Sequence, residues 1–286
     1  MPNVRNTMAA TTLWLGARPL GALSIILIVA LIMLALFAPA VTPYDPFAQD
    51  PSVQAKAPSA GHPLGTDYLG RDVLSRVIVG ARPSLGVGLA SVALAIVAGS
   101  ALGLVSGYIG GTVDLLLQRA VDVLLTLPGL VLALALLAIV GAGFASLITA
   151  IAVVLSPGIA RVVRSATLVV TSTGYIEAAR AIGARDGRIM SRHVLPNVLA
   201  TILVLASLNL GNAILFEAAL SFLGLGVQPP QPSWGNMLSG PARAYFEVAP
   251  WMAIFPGIAV SLAVLGFNLL GDTLRDVFDP RLRGVA

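Results

Sequence analysis

The sequence predicts an all-α membrane protein with six transmembrane helices, and three observations support this prediction. The mean hydropathy is +0.91, and 57% of the 286 residues are hydrophobic. Only 10% are charged, whereas about a quarter of the residues of a soluble domain are charged. The charged residues fall between long charge-free runs, each long enough for the roughly 20 apolar residues that cross a bilayer.

The charge-free runs give the position of each helix in turn. They cover residues 19–44, 83–113, 123–160, 193–216 and 248–271. As one helix the third run would extend roughly 57 Å, far more than the bilayer needs. The glycines of "VGAGF" at residues 140–144 favour a turn that divides it. The predicted spans are therefore about 20–42, 83–108, 115–139, 144–164, 195–216 and 248–271.

These spans define three regions and an orientation. Residues 1–81 hold the first span and a loop, residues 82–272 form the transmembrane domain, and residues 273–286 form a tail. With six spans both termini lie on one side, where twelve arginines also lie, against four arginines and Lys56 on the other. Because basic residues favour the cytoplasm, we expect cytoplasmic termini. Arg18 and "APA" at residues 38–40 imitate a signal peptide, but the apolar run between them is too long for one, so we expect it to be retained.

Several functions are disfavoured by what the sequence lacks. There is no cysteine, which excludes disulfides and thiol catalysis. The single lysine, Lys56, does not follow a glycine-rich loop, so a nucleotide-binding P-loop is not expected. Asp114, Asp122, Glu217 and Asp272 fall at predicted helix ends, so no ion relay is expected in mid-membrane. The two histidines are solitary, and no catalytic arrangement or basic nucleic-acid surface is present. We predict no enzymatic activity, metal, cofactor or nucleic-acid partner, and a source of energy in another chain.

Charge is concentrated between predicted spans four and five, at residues 177–197, on the cytoplasmic side. Glu177 suits the start of a short helix, and Gly183 suits its end in a left-handed conformation. Asp186 is a candidate N-cap for a second short helix through His193, and Pro196 suits the first turn of span five. We therefore predict a helix–turn–helix elbow that a partner protein could approach closely. A loop that only fixes topology, or that binds anionic lipid, remains the alternative. A small apolar surface on the first helix is expected from Ile176, Ala179, Ala181 and Ile182.

The spacing within this segment resembles the EAA motif of ABC importer permeases. The resemblance is carried by Glu177-Ala178-Ala179, Gly183 and Leu195-Pro196. It implies a type I ABC importer permease fold, in which the elbow between spans four and five is a coupling helix seated in a cleft of a separate ATPase subunit. His193 stands where the general pattern has isoleucine, and this departure matches the peptide-transport branch, where "RH-[IV]-LPN" is usual. By this resemblance seven residues couple ATP hydrolysis to helix movement: Glu177, Ala178, Ala179, Arg180, Gly183, Leu195 and Pro196.

Three further stretches resemble the C-type permease of dipeptide and oligopeptide importers. They are "HPLGTDYLGRDVLSRVIVGARPSL" at residues 62–85, "ALSFLGLGVQPPQPSWGNML" at 219–238 and "GDTLRDVFDPRLR" at 271–283. The resemblance implies a bacterial inner-membrane subunit that imports peptides by alternating access, with ATP and Mg²⁺ held by its partners. Those partners would be a homologous second permease, two ATPase subunits and an extracytoplasmic solute-binding protein, with membrane lipid around the spans. Nickel chelates, haem or antibiotic-like peptides remain alternative cargo; an ion-driven carrier or a structural membrane protein fits the sequence less well.

Candidate roles outside the elbow are less specific. Glu217 is the acidic residue expected to border the pathway or an outer gate. Trp234, Asp67 and Arg71 are candidates for contact with the binding protein. For Asp67 and Arg71 the alternatives are a solvated interfacial helix before span two, which the sequence favours, or contact with the partner permease. For Trp234 the alternative is a membrane-interface anchor. The small residues of span two are expected to pack helices closely rather than to bind substrate. They are Gly86, Gly88, Ser91, Gly99, Ser100 and Gly103.

Overall fold

A computed structural model describes residues 19–278, and these residues form helices without any β-strand. The nine α-helices of this region are α1 Pro19–Val41, α2 Val73–Ile109, α3 Gly111–Thr126, α4 Gly129–Val140, α5 Phe144–Thr171, α6 Gly174–Ala181, α7 Asp186–Ile189, α8 Leu195–Phe222 and α9 Trp251–Phe278. A π-helical turn, Met190–Val194, joins α7 to α8. Short 3₁₀ turns cover Pro51–Val53, Asn236–Leu238 and Gly240–Tyr245.

Five helical stretches are long and apolar enough to cross a membrane. They are α1, α2, α5, the continuous stretch from α7 through α8, and α9. The helices α3 and α4 meet the same criterion only as a pair and are bent by 95° with respect to each other. These five stretches and the bent pair correspond to the six predicted spans, so the all-helical membrane fold is confirmed.

Two clusters of buried apolar residues fill the contacts between the helices. The larger cluster joins α2, α4, α5 and α8, and it also includes buried residues of α6 and α7. The smaller one lies between α1, the first turns of α2, the second half of α8, and α9. Gly266 of α9 makes room for α1, because a Cβ there would lie 3.3 Å from Ile28. The first helix is therefore packed against the last.

The closest helix contact runs along α2 and α5. A Cβ added at Gly99 would lie 2.7 Å from the carbonyl oxygen of Ser156, and one at Gly103 would lie 2.5 Å from that of Ala160. Gly107 meets Thr167 in the same way one turn later. Small residues at four-residue spacing let two helix backbones touch, as is common inside membranes. The predicted packing role is confirmed for Gly99 and Gly103, whereas a Cβ added at Gly86 would have no atom of another element within 4 Å.

The second helix begins ten residues earlier than predicted, at Val73 instead of residue 83. The side chain of Asp72 caps it by accepting a hydrogen bond from the Ser75 backbone at 2.8 Å. Arg82, whose charge suggested a helix boundary, donates to the backbone carbonyl of Leu36 at 2.7 Å and is thereby accommodated within the helix. The boundary predicted at residue 82 therefore lies inside α2.

The third predicted span, 115–139, is not one straight helix. Leu127 is extended, and Pro128 precedes the first residue of α4. The helix α3 ends before Leu127 because a proline disfavours the helical conformation in the residue before it. The predicted break at residues 140–144 is confirmed, since Gly141 has a φ of 92° and α5 begins at Phe144.

Three helices extend beyond their predicted ends. The helices α5, α8 and α9 continue to Thr171, Phe222 and Phe278, about six or seven residues further than charge and polarity suggested. Glu217 and Asp272 therefore lie within helices and not at their ends, which corrects the sequence prediction for both. In α5, Arg164 stays within the helix because it forms an ion pair with Asp114 of α3.

The α2–α5 contact predicts a difference between two glycine substitutions in the same helix. Gly103→Ala should destabilise the protein by roughly 1–3 kcal/mol, because the new methyl group overlaps the α5 backbone. Gly86→Ala is the matched control, since its methyl group has open space, and should be neutral or slightly stabilising. Thermal unfolding in detergent would measure both. Equal unfolding temperatures would contradict the packing described here.

Candidate functional site

The predicted elbow is present as residues 174–194, comprising α6, α7 and the π turn. Gly183 ends α6 with a φ of 81°, as predicted. The Gly183 N–H donates to the Arg180 carbonyl at 2.9 Å and the Ala184 N–H to the Ala179 carbonyl at 3.1 Å. These two bonds are those of a Schellman motif, in which glycine avoids the cost of the left-handed conformation. The elbow therefore has a defined turn.

The elbow is anchored from both of its helices and exposed at its turn. Ile176 of α6 and Ile189 of α7 are fully buried in the larger apolar cluster. Ile182 is 86% exposed beside Gly183. The prediction that Ile176 and Ile182 share one apolar surface is thus wrong, because α6 ends before Ile182 can turn toward the core. Ile182 is therefore an exposed apolar side chain at the turn between the two helices of the elbow.

The remaining residues of the motif lie around this turn. Glu177, Ala178 and Arg180 are exposed on α6, and Ala179 is half-buried. Leu195 and Pro196 are exposed at the start of α8, some distance along the chain from α6. These positions leave most of the motif on one accessible segment.

The second half of the elbow differs in detail from its prediction. Arg185 is the N-cap of α7 and Asp186 its first residue, so Asp186 does not cap the helix. Pro196 is on the first turn of α8, as predicted, but the helix does not begin afresh there. The Leu195 N–H donates to the carbonyl of Met190, and this wider turn gives the proline ring room within a continuous helical stretch.

Sequence reasoning missed a contact between the elbow and α2. The hydroxyl of Tyr108 donates a hydrogen bond to Asp186 Oδ1 at 2.6 Å. The guanidinium carbon of Arg180 lies 5.3 Å from the centre of the Tyr108 ring. No signal in the sequence could have found this contact, because Tyr108 and Asp186 are 78 positions apart.

At the other end of α2, residues 42–72 and 223–250 form a layer that we call the loop layer. Trp234 is buried there, donating from its backbone N–H to Ser84 Oγ at 3.1 Å and from its indole to the Val77 carbonyl at 2.9 Å. Trp251, the first residue of α9, donates from its indole to the Thr66 carbonyl at 3.1 Å and so ties the first segment of the layer to α9. The loop layer is therefore fastened to α2 by Trp234 and to α9 by Trp251.

Asp67 and Arg71 are paired inside the loop layer. Arg71 Nε donates to Asp67 Oδ2 at 2.7 Å, and the same carboxylate accepts the backbone N–H of Leu69 at 2.8 Å. Both residues and Trp234 are less than 10% exposed. In this structure the three residues shape the loop layer from within, and their contact with a binding protein stays a prediction.

Glu217 is also buried beneath the loop layer and faces no open passage in this structure. Its Oε1 accepts a hydrogen bond from Ser221 Oγ at 2.7 Å, and the hydroxyls of Ser84 and Ser233 face the same carboxyl group. Each of these serines also accepts a backbone N–H from the loop layer, namely that of Val227, Trp234 or Asn236. The carboxyl group of Glu217 is therefore in contact with the serines that accept the backbone N–H groups of the loop layer. Its second oxygen, Oε2, makes no hydrogen bond of good geometry.

Between residues 19 and 278 no group of three or more His, Asp or Glu side chains comes together in a way that could hold a metal ion. The candidate functional residues lie in two regions, the elbow and the loop layer, which contact opposite ends of α2.

Comparison with protein families gives two matches. Residues 99–284 match the family described as binding-protein-dependent transport system inner membrane component. Residues 15–58 match the N-terminal transmembrane domain of oligopeptide transport permease C. Together these matches include α1, the elbow and most of the loop layer, whereas residues 59–72 of that layer lie between them.

Individual relatives cover most of the chain. The dipeptide transport system permease protein DppC of Alkalihalophilus pseudofirmus is 44% identical over 92% of this chain and 86% of its own length. The glutathione transport system permease protein GsiD of Pectobacterium atrosepticum is 47% identical over 73% of this chain and 69% of its own. GsiD of Escherichia coli O6:K15:H31 is 45% identical over 90% and 85%.

A solved structure shares the fold. A chain of the MetNI methionine ABC transporter in its inward-facing conformations superposes with a TM-score of 0.58. The match covers 71% of this chain and 97% of the other at 22% sequence identity. The likeness is therefore one of fold.

The position of Glu217 predicts its effect on the loop layer. Glu217→Ala should speed amide exchange of Val227 and Trp234, because the serine hydroxyls lose a buried acceptor, which costs about 1–3 kcal/mol for each unsatisfied group. Hydrogen–deuterium exchange would measure the effect. Glu247→Ala, which removes an exposed acid from the same layer, is the control. Unchanged exchange in Glu217→Ala would show that the carboxyl does not support the loop layer.

Proposed function

The chain belongs to the family of binding-protein-dependent transport system inner membrane components, and on this premise we propose that it is the C-type permease subunit of an ATP-driven importer of dipeptides or oligopeptides. It is a multi-span membrane permease of an ABC importer. The spans would alternate between inward-open and outward-open arrangements, a rigid-body change of the kind that paired helix bundles undergo.

The elbow is the observation that carries this proposal. A segment that transmits movement from a partner protein has to be rigid, anchored in the transmembrane core and accessible to that partner. Ile176 and Ile189 supply the anchor, the Schellman turn at Gly183 supplies the rigidity, and Ile182 with Glu177 supplies the accessible surface. We assign the coupling role to Glu177, Ala178, Ala179, Arg180, Gly183, Leu195 and Pro196.

The names of the relatives favour a small peptide as cargo. One is a dipeptide permease and two are glutathione permeases, and none of these three is named for nickel or haem. An ion-driven carrier is disfavoured, since the buried Glu217 is engaged with serines of the loop layer and faces no passage.

The assembly follows from the proposed role. A homologous second permease, two ATPase subunits that bind ATP and Mg²⁺, and an extracytoplasmic binding protein would complete the importer. The elbow would face the cytoplasm together with both termini, and the loop layer would face the binding protein from the opposite side of the inner membrane. The excess of arginine in the elbow supports this orientation.

Reconstitution tests the function directly. The chain, co-expressed with its candidate ATPase and second permease, should co-purify with them. In liposomes the complex should hydrolyse ATP faster when a peptide-loaded binding protein is added, and should accumulate labelled peptide. A chain that purifies alone and transports peptide in response to a proton or sodium gradient would overturn the proposal.

The turn at Gly183 yields a substitution test. Gly183→Leu should abolish uptake while membrane insertion survives, because a side chain at a φ of 81° costs roughly 1–2 kcal/mol and distorts the turn beside the partner surface. Gly187→Leu is the matched control, because Gly187 is in helical α7 and a Cβ added there would meet open space; uptake should persist. Uptake rates in cells, normalised to permease in the membrane, would measure both. Normal uptake by Gly183→Leu would count against the coupling role.

A further inference from the structure

Tyr108 connects α2 to both helices of the elbow. It lies one residue before the end of α2, is 9% exposed, and belongs to the same apolar cluster as Ile176 and Ile189. Its hydroxyl donates to Asp186 on α7 at 2.6 Å, and Arg180 on α6 covers its ring. One side chain of a transmembrane helix thus contacts the elbow on either side of the turn at Gly183.

This contact matters because the polypeptide backbone connects the elbow directly only to the two helices that flank it in sequence. The elbow continues into α5 on one side and α8 on the other, whereas α2 is joined to it through space. A hydrogen bond to a carboxylate is about twice as strong as one between neutral groups, and the 2.6 Å distance is typical of such a bond. The ring adds a cation–π contact with Arg180.

The neighbouring polar groups belong to a separate connection. Arg164 of α5 donates from Nε to Asp114 of α3 at 2.6 Å, and Ser106 of α2 donates to the same carboxylate. That cluster joins three helices to one another but does not include the elbow. Among the described residues, Tyr108 is therefore the α2 side chain that makes a direct polar contact with the elbow.

We propose that Tyr108 is a positioning residue for transport, through which displacement of the elbow by the ATPase is passed to α2. The proposal rests on the proposed function of the elbow. When the elbow moves, the bond to Asp186 and the contact with Arg180 carry the end of α2 with it. Without them, the elbow moves while α2 lags, so ATP is hydrolysed with less peptide moved.

Tyr108→Phe in the reconstituted importer tests this role, since it removes the hydroxyl and keeps the ring. The number of peptides taken up per ATP hydrolysed should fall about fivefold or more, the range of an ordinary coupling between two sites, while assembly and thermal unfolding stay close to those of the unmodified protein. Tyr44→Phe is the matched control, because it also removes one hydroxyl bond, to the Gly61 carbonyl in the loop layer. The number of peptides taken up per ATP hydrolysed should not change in this control variant.

The pairing with Asp186 gives a second readout. If the effect runs through this bond, Tyr108→Phe and Asp186→Ala together should lower the ratio no further than the stronger single change. An unchanged ratio in a working assembly, an equal fall of uptake and hydrolysis, or additive effects of the two substitutions would overturn the role of Tyr108 alone. Absence of peptide-stimulated hydrolysis in the unmodified assembly would instead overturn the proposed function, and this role with it.

Discussion

At Gly99, Gly103 and Gly107 the backbone of α2 lies directly against α5, with no room for even a methyl group between them. Helices in lipid gain little from burying apolar side chains, so close backbone packing and interhelical hydrogen bonds have to hold them together. The resulting pair is a stiff unit of 37 and 28 residues. The elbow, the bent pair α3–α4 and the loop layer are all attached to this unit.

The two ends of the unit differ in the exposure of their charged residues. At the elbow end, charged residues are exposed around a glycine turn, and Tyr108 joins that turn to α2. At the other end, Asp67, Glu217 and Trp234 are buried and hold the loop layer in place. This arrangement suits the proposed function, in which a cytoplasmic ATPase acts on the elbow and a binding protein presents the cargo at the opposite side of the membrane. The long helices of the unit connect both sides.

The sequence predicted what depends on local pattern and missed what depends on contacts distant in the chain. Apolar runs located the spans, and the glycine at position 183 located the turn of the elbow, since backbone conformation there depends on one residue. Helix ends were wrong at Val73 and Phe222, because paired or capped charges do not stop a helix. The burial of Trp234 and the bond between Tyr108 and Asp186 depend on tertiary packing, for which the sequence carries no local signal.

The central claim is that α2 and the elbow move together when the ATPase subunits close. The chain has no cysteine, so spin labels can be placed at Ile109, the last residue of α2, and at Arg188 on α7, both of which are exposed. The distance between these labels would be measured in the assembled importer without nucleotide and with ATP and Mg²⁺ in a hydrolysis-deficient ATPase. We expect the same distance in both states, and a changed or broadened distance when Tyr108 is phenylalanine. A distance that changes with ATP in the unmodified chain would contradict the claim.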